Sequence, residues 1–272
     1  MHGYLRIVAP AVALVLLAPR PAAAQPARQP LPLEPPRASG LAVSPVYEGW
    51  YRNPDGTFSL SFGYLNRNRE EVVEVPIGPR NFIAGAEPPA GLPTRFLPRR
   101  HYGVFTVTVP ASFGADDEVV WTVDIRGQTF AIPGRLNHLY EIDALGAPAT
   151  GDTPPLLRFT PGGSGASGPH GVVGPPLEGR VGQPLDLAVW ASDEEDERVT
   201  LRWTKWSGPG GVAFAEPTLR TEVGEPRAAT TATFDAPGEY VLYVRANTSG
   251  LATAGHEQCC WTNGYLNVTV TR

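Results

Sequence analysis

"TATFDAPGEYVLYVRA", Thr231 to Ala246, is the stretch on which the fold turns. "TATF" and "GEYVLYVRA" read as two strands. In the second, Tyr240, Leu242 and Val244 share one face, because side chains alternate along a strand with a period of two. Toward the C-terminus, "GYLNVTVTR" aligns Leu266, Val268 and Val270 in the same way. Toward the N-terminus, "PLDLAVWA" aligns Leu185, Leu187 and Val189, and "RVTLRW" aligns Val199, Leu201 and Trp203. "LLRFT", Leu156 to Thr160, reads as a first strand of this half, and "PGGSGASGPHG", Pro161 to Gly171, as a loop.

The same alternation fills the first half. "GTFSLSFGYL" places Phe58, Leu60, Phe62 and Tyr64 on one face, as in a half-buried strand. "NPDG", Asn53 to Gly56, is a tight-turn signal, so "VYEGWY" and "TFSLSFGY" should form a hairpin. "GVFTVTV", "EVVWTVDI" and "QTFAIP" supply more strands. Gly or Pro interrupts every few positions and no helical period appears between residues 41 and 145. Residues 41–145 therefore read as an antiparallel β-sandwich and 146–155, "GAPATGDTPP", as a linker.

The C-terminal half resembles a known family. "VGQPLDLAVWASDEEDERVTLRWTKWSGPG", then "ATFDAPGEYVLYVRA", then "LNVTVT" resemble a PKD-type (polycystic-kidney-disease-type) repeat of the immunoglobulin-like superfamily, over residues 156–272. "DAPGEY", Asp235 to Tyr240, is similar to that family's turn into its penultimate strand. The resemblance implies that Tyr240 closes a corner by hydrogen bonding back to the chain. It also implies extracellular contact with carbohydrate, protein or matrix, without catalysis. Strands B, C, F and G then fall near 184–191, 198–206, 239–247 and 264–271. The B–C loop, Ser192 to Glu197, and the F–G loop, Thr248 to Asn263, meet at one end.

Both loops are chemically distinctive. The first carries five consecutive acids, Asp193 to Glu197, which repel one another unless a cation intervenes. Hard oxygen ligands suit Ca²⁺, with Asp193, Glu195 and Asp196 as the candidate ligands and calcium as the one cofactor considered. The alternative is a solvated turn, since EF-hand spacing is absent. The second loop, "HEQCCWTNGY", holds both cysteines of the chain, Cys259 and Cys260. Adjacent Cα atoms lie about 3.8 Å apart across a trans peptide, below the usual disulfide range, so a bond between them needs a strained or cis peptide. Four readings stay open, in this order: a vicinal disulfide, simple packing, a Cu(I) or Zn²⁺ site with His256, and an intermolecular link. A rigid cysteine ring beside Trp261 would make an apolar platform for a sugar face or aromatic ligand. Asn263-Gly264 is a tight-turn signal that should start the last strand.

Other chemistry is hard to find. "HEQCC" lacks the second histidine of a zinc-protease motif, and the glycine-rich loop lacks both GxSxG and a phosphate-loop ending. "PRRH", Pro98 to His101, reads as an edge-protecting basic group on a strand end. Residues 1–24 read as a secretory signal, with Arg6 before an apolar run and Ala22-Ala23-Ala24 at its end. That run is too short to span a bilayer. Residues 25–40, rich in proline, read as a tether. Without the signal, 20 basic residues face 27 acidic ones, a net charge of −7. This argues against a nucleic-acid or anionic-membrane surface.

The sequence thus predicts an all-β, exported, non-enzymatic binding or adhesion protein of two tandem antiparallel β-sandwiches. Its partner would be a glycan or an extracellular or periplasmic protein, met by His256, Cys259, Cys260, Trp261 and Asn263 at the loop end. The alternatives are a periplasmic metal-binding protein using His256 and the cysteines, an accessory module of a secreted enzyme system, or an enzyme with its site in the cleft between the domains.

Overall fold

The structure is a computed structural model that describes residues 37–194, 198–252 and 258–272. The segment read as a signal, and most of the tether, lie outside the described residues. Within the first half run β1 (Val43–Arg52), β2 (Phe58–Asn66), β3 (Val73–Glu74), β4 (Asn81–Ala84), β5 (Arg95–Phe96), β6 (Arg99–Val109), β7 (Val119–Ile125) and β8 (Gln128–Gly134). Strands β1, β2 and β6 form one antiparallel sheet, β4, β7 and β8 a second, and β3 pairs with β5. The expected hairpin is present: Tyr47 pairs with Phe62 and Trp50 with Leu60. Gly56 closes its turn at φ +87°, a conformation in which a side chain is costly.

The sheets enclose an aromatic core. Phe62 stacks on Phe105 with centroids 5.2 Å apart, and Trp121 meets Phe105 edge-on at 4.9 Å. Asn81 is buried here with its amide satisfied: it donates to the carbonyls of Val75 and Pro93 and accepts from the Trp121 indole. This meets the rule that a buried polar group needs partners. One expectation changes. Strand β2 is buried on both faces, because Ser59 and Ser61 are as inaccessible as Leu60 and Phe62. On that face the Tyr51 hydroxyl meets Ser59 and the His170 amide, and Tyr51 packs with Ile142 and Ala144.

That half contains β9 (Leu156–Arg158), β10 (Gly165–Ala166), β11 (Val172–Val173), β12 (Leu177–Arg180), β13 (Leu185–Ser192), β14 (Thr200–Ser207), β15 (Val212–Phe214), β16 (Thr218–Arg220), β17 (Arg227–Phe234), β18 (Gly238–Ala252) and β19 (Cys259–Thr271). One sheet has the order β10-β9-β13-β17-β15 and the other β11-β19-β18-β14-β16, with β12 also on β19. Strands β11 and β12 pair with β19 in parallel, and the remaining pairs are antiparallel. The alternating residues read from the sequence fill the space between the sheets: Leu187, Val189, Leu201, Trp203, Leu242, Val244, Leu266 and Val268 are all buried in one cluster. Tyr240 donates its hydroxyl to the Ala236 carbonyl at 2.8 Å and accepts from the Gly210 amide, which fixes the corner before β18.

Two local readings are corrected. The long loop expected between Thr248 and Asn263 is mostly strand: β18 continues to Ala252 and β19 begins at Cys259, with a register shift between Asn247 and Ala252. Asn263-Gly264 is not a turn. It lies inside β19, where Asn263 pairs with Arg245 and Gly264 with Val244. Its turn preference is overridden because the Asn263 amide finds partners elsewhere in the fold. Gly264 is required by space, since a Cβ there would sit 2.7 Å from Leu157 Cδ2 and 2.8 Å from Val244 Cγ1.

Candidate functional site

The outward face of the β14-β18-β19 sheet would be polar in an isolated sandwich. Here it carries Trp206, Tyr243, Tyr265 and Trp261. The first three pack into the aromatic core of the first half. Trp206 and Tyr243 rings lie 4.4 Å apart. The polar tips of these three reach a backbone carbonyl across the joint or a buried partner. Trp206 Nε1 donates to Gly91, Tyr265 to Val104, and Tyr243 to Asn263 Oδ1. Aromatic residues with one polar tip suit such an interface. The described residues from 37 onward accordingly form one compact unit.

Of the residues singled out in "HEQCCWTNGY", Cys259, Cys260, Trp261 and Asn263 lie in this joint. Cys259 and Cys260 are bonded to each other across a cis peptide. They are fully buried and cluster with Ala147, and the Asp152 carbonyl oxygen lies 3.2 Å from Cys260 Sγ. The turn that covers them, Ala147 to Asp152, is closed by a 2.8 Å bond from the Ala147 amide to Asp152. Trp261 is also fully buried, so the open platform expected from the sequence is not what this strand presents. Its ring lies under Gly103, at whose position a Cβ would be 2.3 Å from Trp261 Cζ2. Asn263 donates to the carbonyls of Gly103 and Pro169 at 3.0 and 2.7 Å. Gln258 bonds from its amide to Asp143 and from its side chain to the Glu48 carbonyl.

An ion pair within the first half lies beside the joint. Glu48 bulges from β1 and accepts from Arg100 Nη2 at 2.7 Å. Burial pushes its carboxyl above the usual range, and Arg100 opposes that shift. Arg100, read from the sequence as an edge charge, is thus tied to an interior carboxylate. His101 beside it stacks on Tyr64 at 4.8 Å.

The metal readings gain no geometry. His256, Glu195 and Asp196 lie outside the described residues, and the cysteine sulfurs are engaged with each other. Among the described residues no three His, Cys, Asp or Glu side chains gather to hold an ion.

A concave site stands beside the joint. This cleft of about 250 Å³ is lined by Arg202, Thr204, Tyr243, Arg245, Asn247 and His101, together with the apolar Leu97, Val104 and Trp206. Arg202 and Arg245 are direct cross-strand partners. The Arg245 guanidinium is fixed by donation to Tyr102, Gly103 and the Tyr243 hydroxyl at 2.7, 3.0 and 2.8 Å, and lies 4.8 Å over the Trp261 ring. His101 is held below the ordinary imidazole range by burial first, then by Arg245, Arg202 and Arg100. None of these arginines was singled out in the sequence except Arg100. The available signal was their position on the out-facing side of β14 and β18, alternating with the core residues Leu201, Trp203 and Val244.

No protein family matches the chain, and no curated protein matches it. Among solved structures, the PKD domain of an M14-like peptidase from Thermoplasmatales archaeon SCGC AB-540-F20 is 17% identical. It covers 44% of this chain and 99% of its own, with a TM-score of 0.26. The Yersinia pseudotuberculosis adhesin InvE is 14% identical over 85% of this chain and 58% of its own, with a TM-score of 0.28. The D0-D1 domain of intimin is 11% identical over 84% and 97%, with a TM-score of 0.25. Likeness at this level carries no functional argument. No helix among the described residues is long and apolar enough to cross a membrane.

Proposed function

We propose that this chain is an exported, non-enzymatic binding or adhesion protein that presents a glycan- or protein-recognising surface on a rigid two-sandwich body. The observation that supports this most is where its distinctive residues go. The cysteines, Trp261 and Asn263 are buried, and Trp261 and Asn263 meet Gly103 of the first half across the joint. A stiff body with little internal freedom loses less entropy when it engages a partner. Export is supported by the N-terminal sequence and by the disulfide, which is rare where thiols are kept reduced.

The test has two parts. Fractionation of cells making the full chain should recover a processed protein that begins at Gln25, outside the cytoplasm. That protein, labelled, should bind a subset of a glycan array or retain a defined surface protein in a pull-down. Recovery of the unprocessed chain in the cytoplasm, or binding to neither class of ligand, would overturn the reading.

A further inference from the structure

The outward face of β14 and β18 sets Arg202 and Arg245 directly opposite each other. Like charges at directly opposed sheet positions are destabilising. Neither arginine forms an ion pair among the described residues. Glu48, which also interacts electrostatically with Arg245, is already bonded to Arg100. Two guanidinium groups, Arg202 and Arg245, therefore line one cleft of a chain whose net charge is negative. Arg245 cannot swing away to relieve the repulsion, because two backbone carbonyls and the Tyr243 hydroxyl fix it. With Nε and Nη2 engaged, Arg245 keeps Nη1 to donate, and the exposed Arg202 on the paired strand can supply a second charged donor to one carboxylate.

The rest of the cleft narrows the ligand. Its volume of about 250 Å³ suits one sugar ring rather than a folded peptide segment. Thr204 and Asn247 flank the arginines on the same face, in the cross-strand pairs Thr204–Tyr243 and Thr200–Asn247. Neutral donors and acceptors in those places match ring hydroxyls, which an acidic amino-acid side chain lacks.

We propose that this cleft binds a carboxylate-bearing sugar residue, with Arg202 and Arg245 sharing the carboxylate and Thr204 and Asn247 contacting the ring hydroxyls. The inference rests on reading the chain as a binding protein, and its test is separable from that reading. Glucuronate and galacturonate are titrated into the full chain while NMR follows the His101 imidazole and the arginine side chains. Glucose, acetate and a short glutamate peptide are run in parallel. The expected result is saturable shifts at His101 with a uronate, little response to glucose, and weaker binding of acetate. Arg202→Gln should weaken uronate binding roughly ten- to hundredfold, the loss of one charge-assisted bond. Its melting temperature should hold or rise, because Arg202 is exposed, has no ion-pair partner among the described residues and faces Arg245 across the strands. Asn247→Ala should weaken the uronate and leave acetate unaffected. Several outcomes overturn the proposal: no shift at His101, equal binding of acetate and uronate, tighter binding of the glutamate peptide, or an unaltered Arg202→Gln. Adhesion persisting alongside any of these would leave the binding-protein reading intact and remove only this site.

Discussion

Replacing Gly103 with alanine probes the joint between the two cores at its tightest point. Two penalties combine there. Gly103 has φ +48°, and holding a non-glycine residue in the left-handed region costs about 1–2 kcal/mol. A Cβ would also sit 2.3 Å from Cζ2 and 3.1 Å from Cε2 of Trp261, a fully buried ring that cannot rotate into solvent. Overpacking of that kind costs about 1–3 kcal/mol. Gly103→Ala should therefore destabilise the chain by about 2–5 kcal/mol in urea unfolding. Phenylalanine at position 261 has no atom where Cζ2 lies. In a Trp261→Phe background the steric part should vanish, leaving about 1–2 kcal/mol from the backbone. The double-mutant cycle would then read a coupling of about 1–3 kcal/mol between residues far apart in sequence. If Gly103→Ala costs the same in both backgrounds, the Trp261 ring does not lie against Gly103 and the joint described here is wrong.

Three further outcomes follow from the same contacts. Asn263→Ala should cost about 2–4 kcal/mol by denaturant unfolding, since it removes bonds to Gly103 and Pro169 and the acceptor for Tyr243; a cost below that of an exposed substitution would show the amide is not engaged. Burial holds His101 and His170 below the ordinary imidazole value, so the unfolded chain takes up protons more readily. The stability this gives is present above about pH 6.5 and should decline as pH falls through the lower folded values. Glu48, raised by burial, acts in the opposite sense, so the comparison is made with His101→Phe, which should flatten the decline; an unaltered pH profile of melting temperature would contradict it. Finally, the intact chain should be lighter by two hydrogen atoms than its reduced form. The buried cysteines should resist reduction and alkylation until the chain is unfolded. Alkylation of the native protein without reductant would show that they are free.

Much of this architecture is legible in the residues. Alternation alone places Leu242, Val244, Leu266 and Val268 in the second core. Asn53 to Gly56 marks the first hairpin, and Tyr240 marks the corner. The adjacent cysteines put their own bond first among four readings, and they are bonded to each other. What the sequence hides is the other face of the same strands. Trp206, Tyr243 and Tyr265 occupy positions that an isolated sandwich would expose, and each is nearly or fully buried against the first half. A period-of-two pattern names the face toward a strand's own core and is silent on a second partner. Asn263-Gly264 misleads for a related reason. Its local turn preference is real, but three long-range hydrogen bonds to the asparagine outweigh it. The arginine pair is invisible in one dimension, because Arg202 and Arg245 become neighbours only through the register of β14 on β18.

The central claim is that the two β-sandwich halves share one joint and behave as one body. Calorimetric unfolding of the full chain tests it most directly. The account predicts a single transition whose calorimetric enthalpy equals its van't Hoff enthalpy, as for one cooperative unit. Two resolved transitions, or a calorimetric enthalpy well above the van't Hoff value, would show that the halves melt independently and that the joint does not couple them.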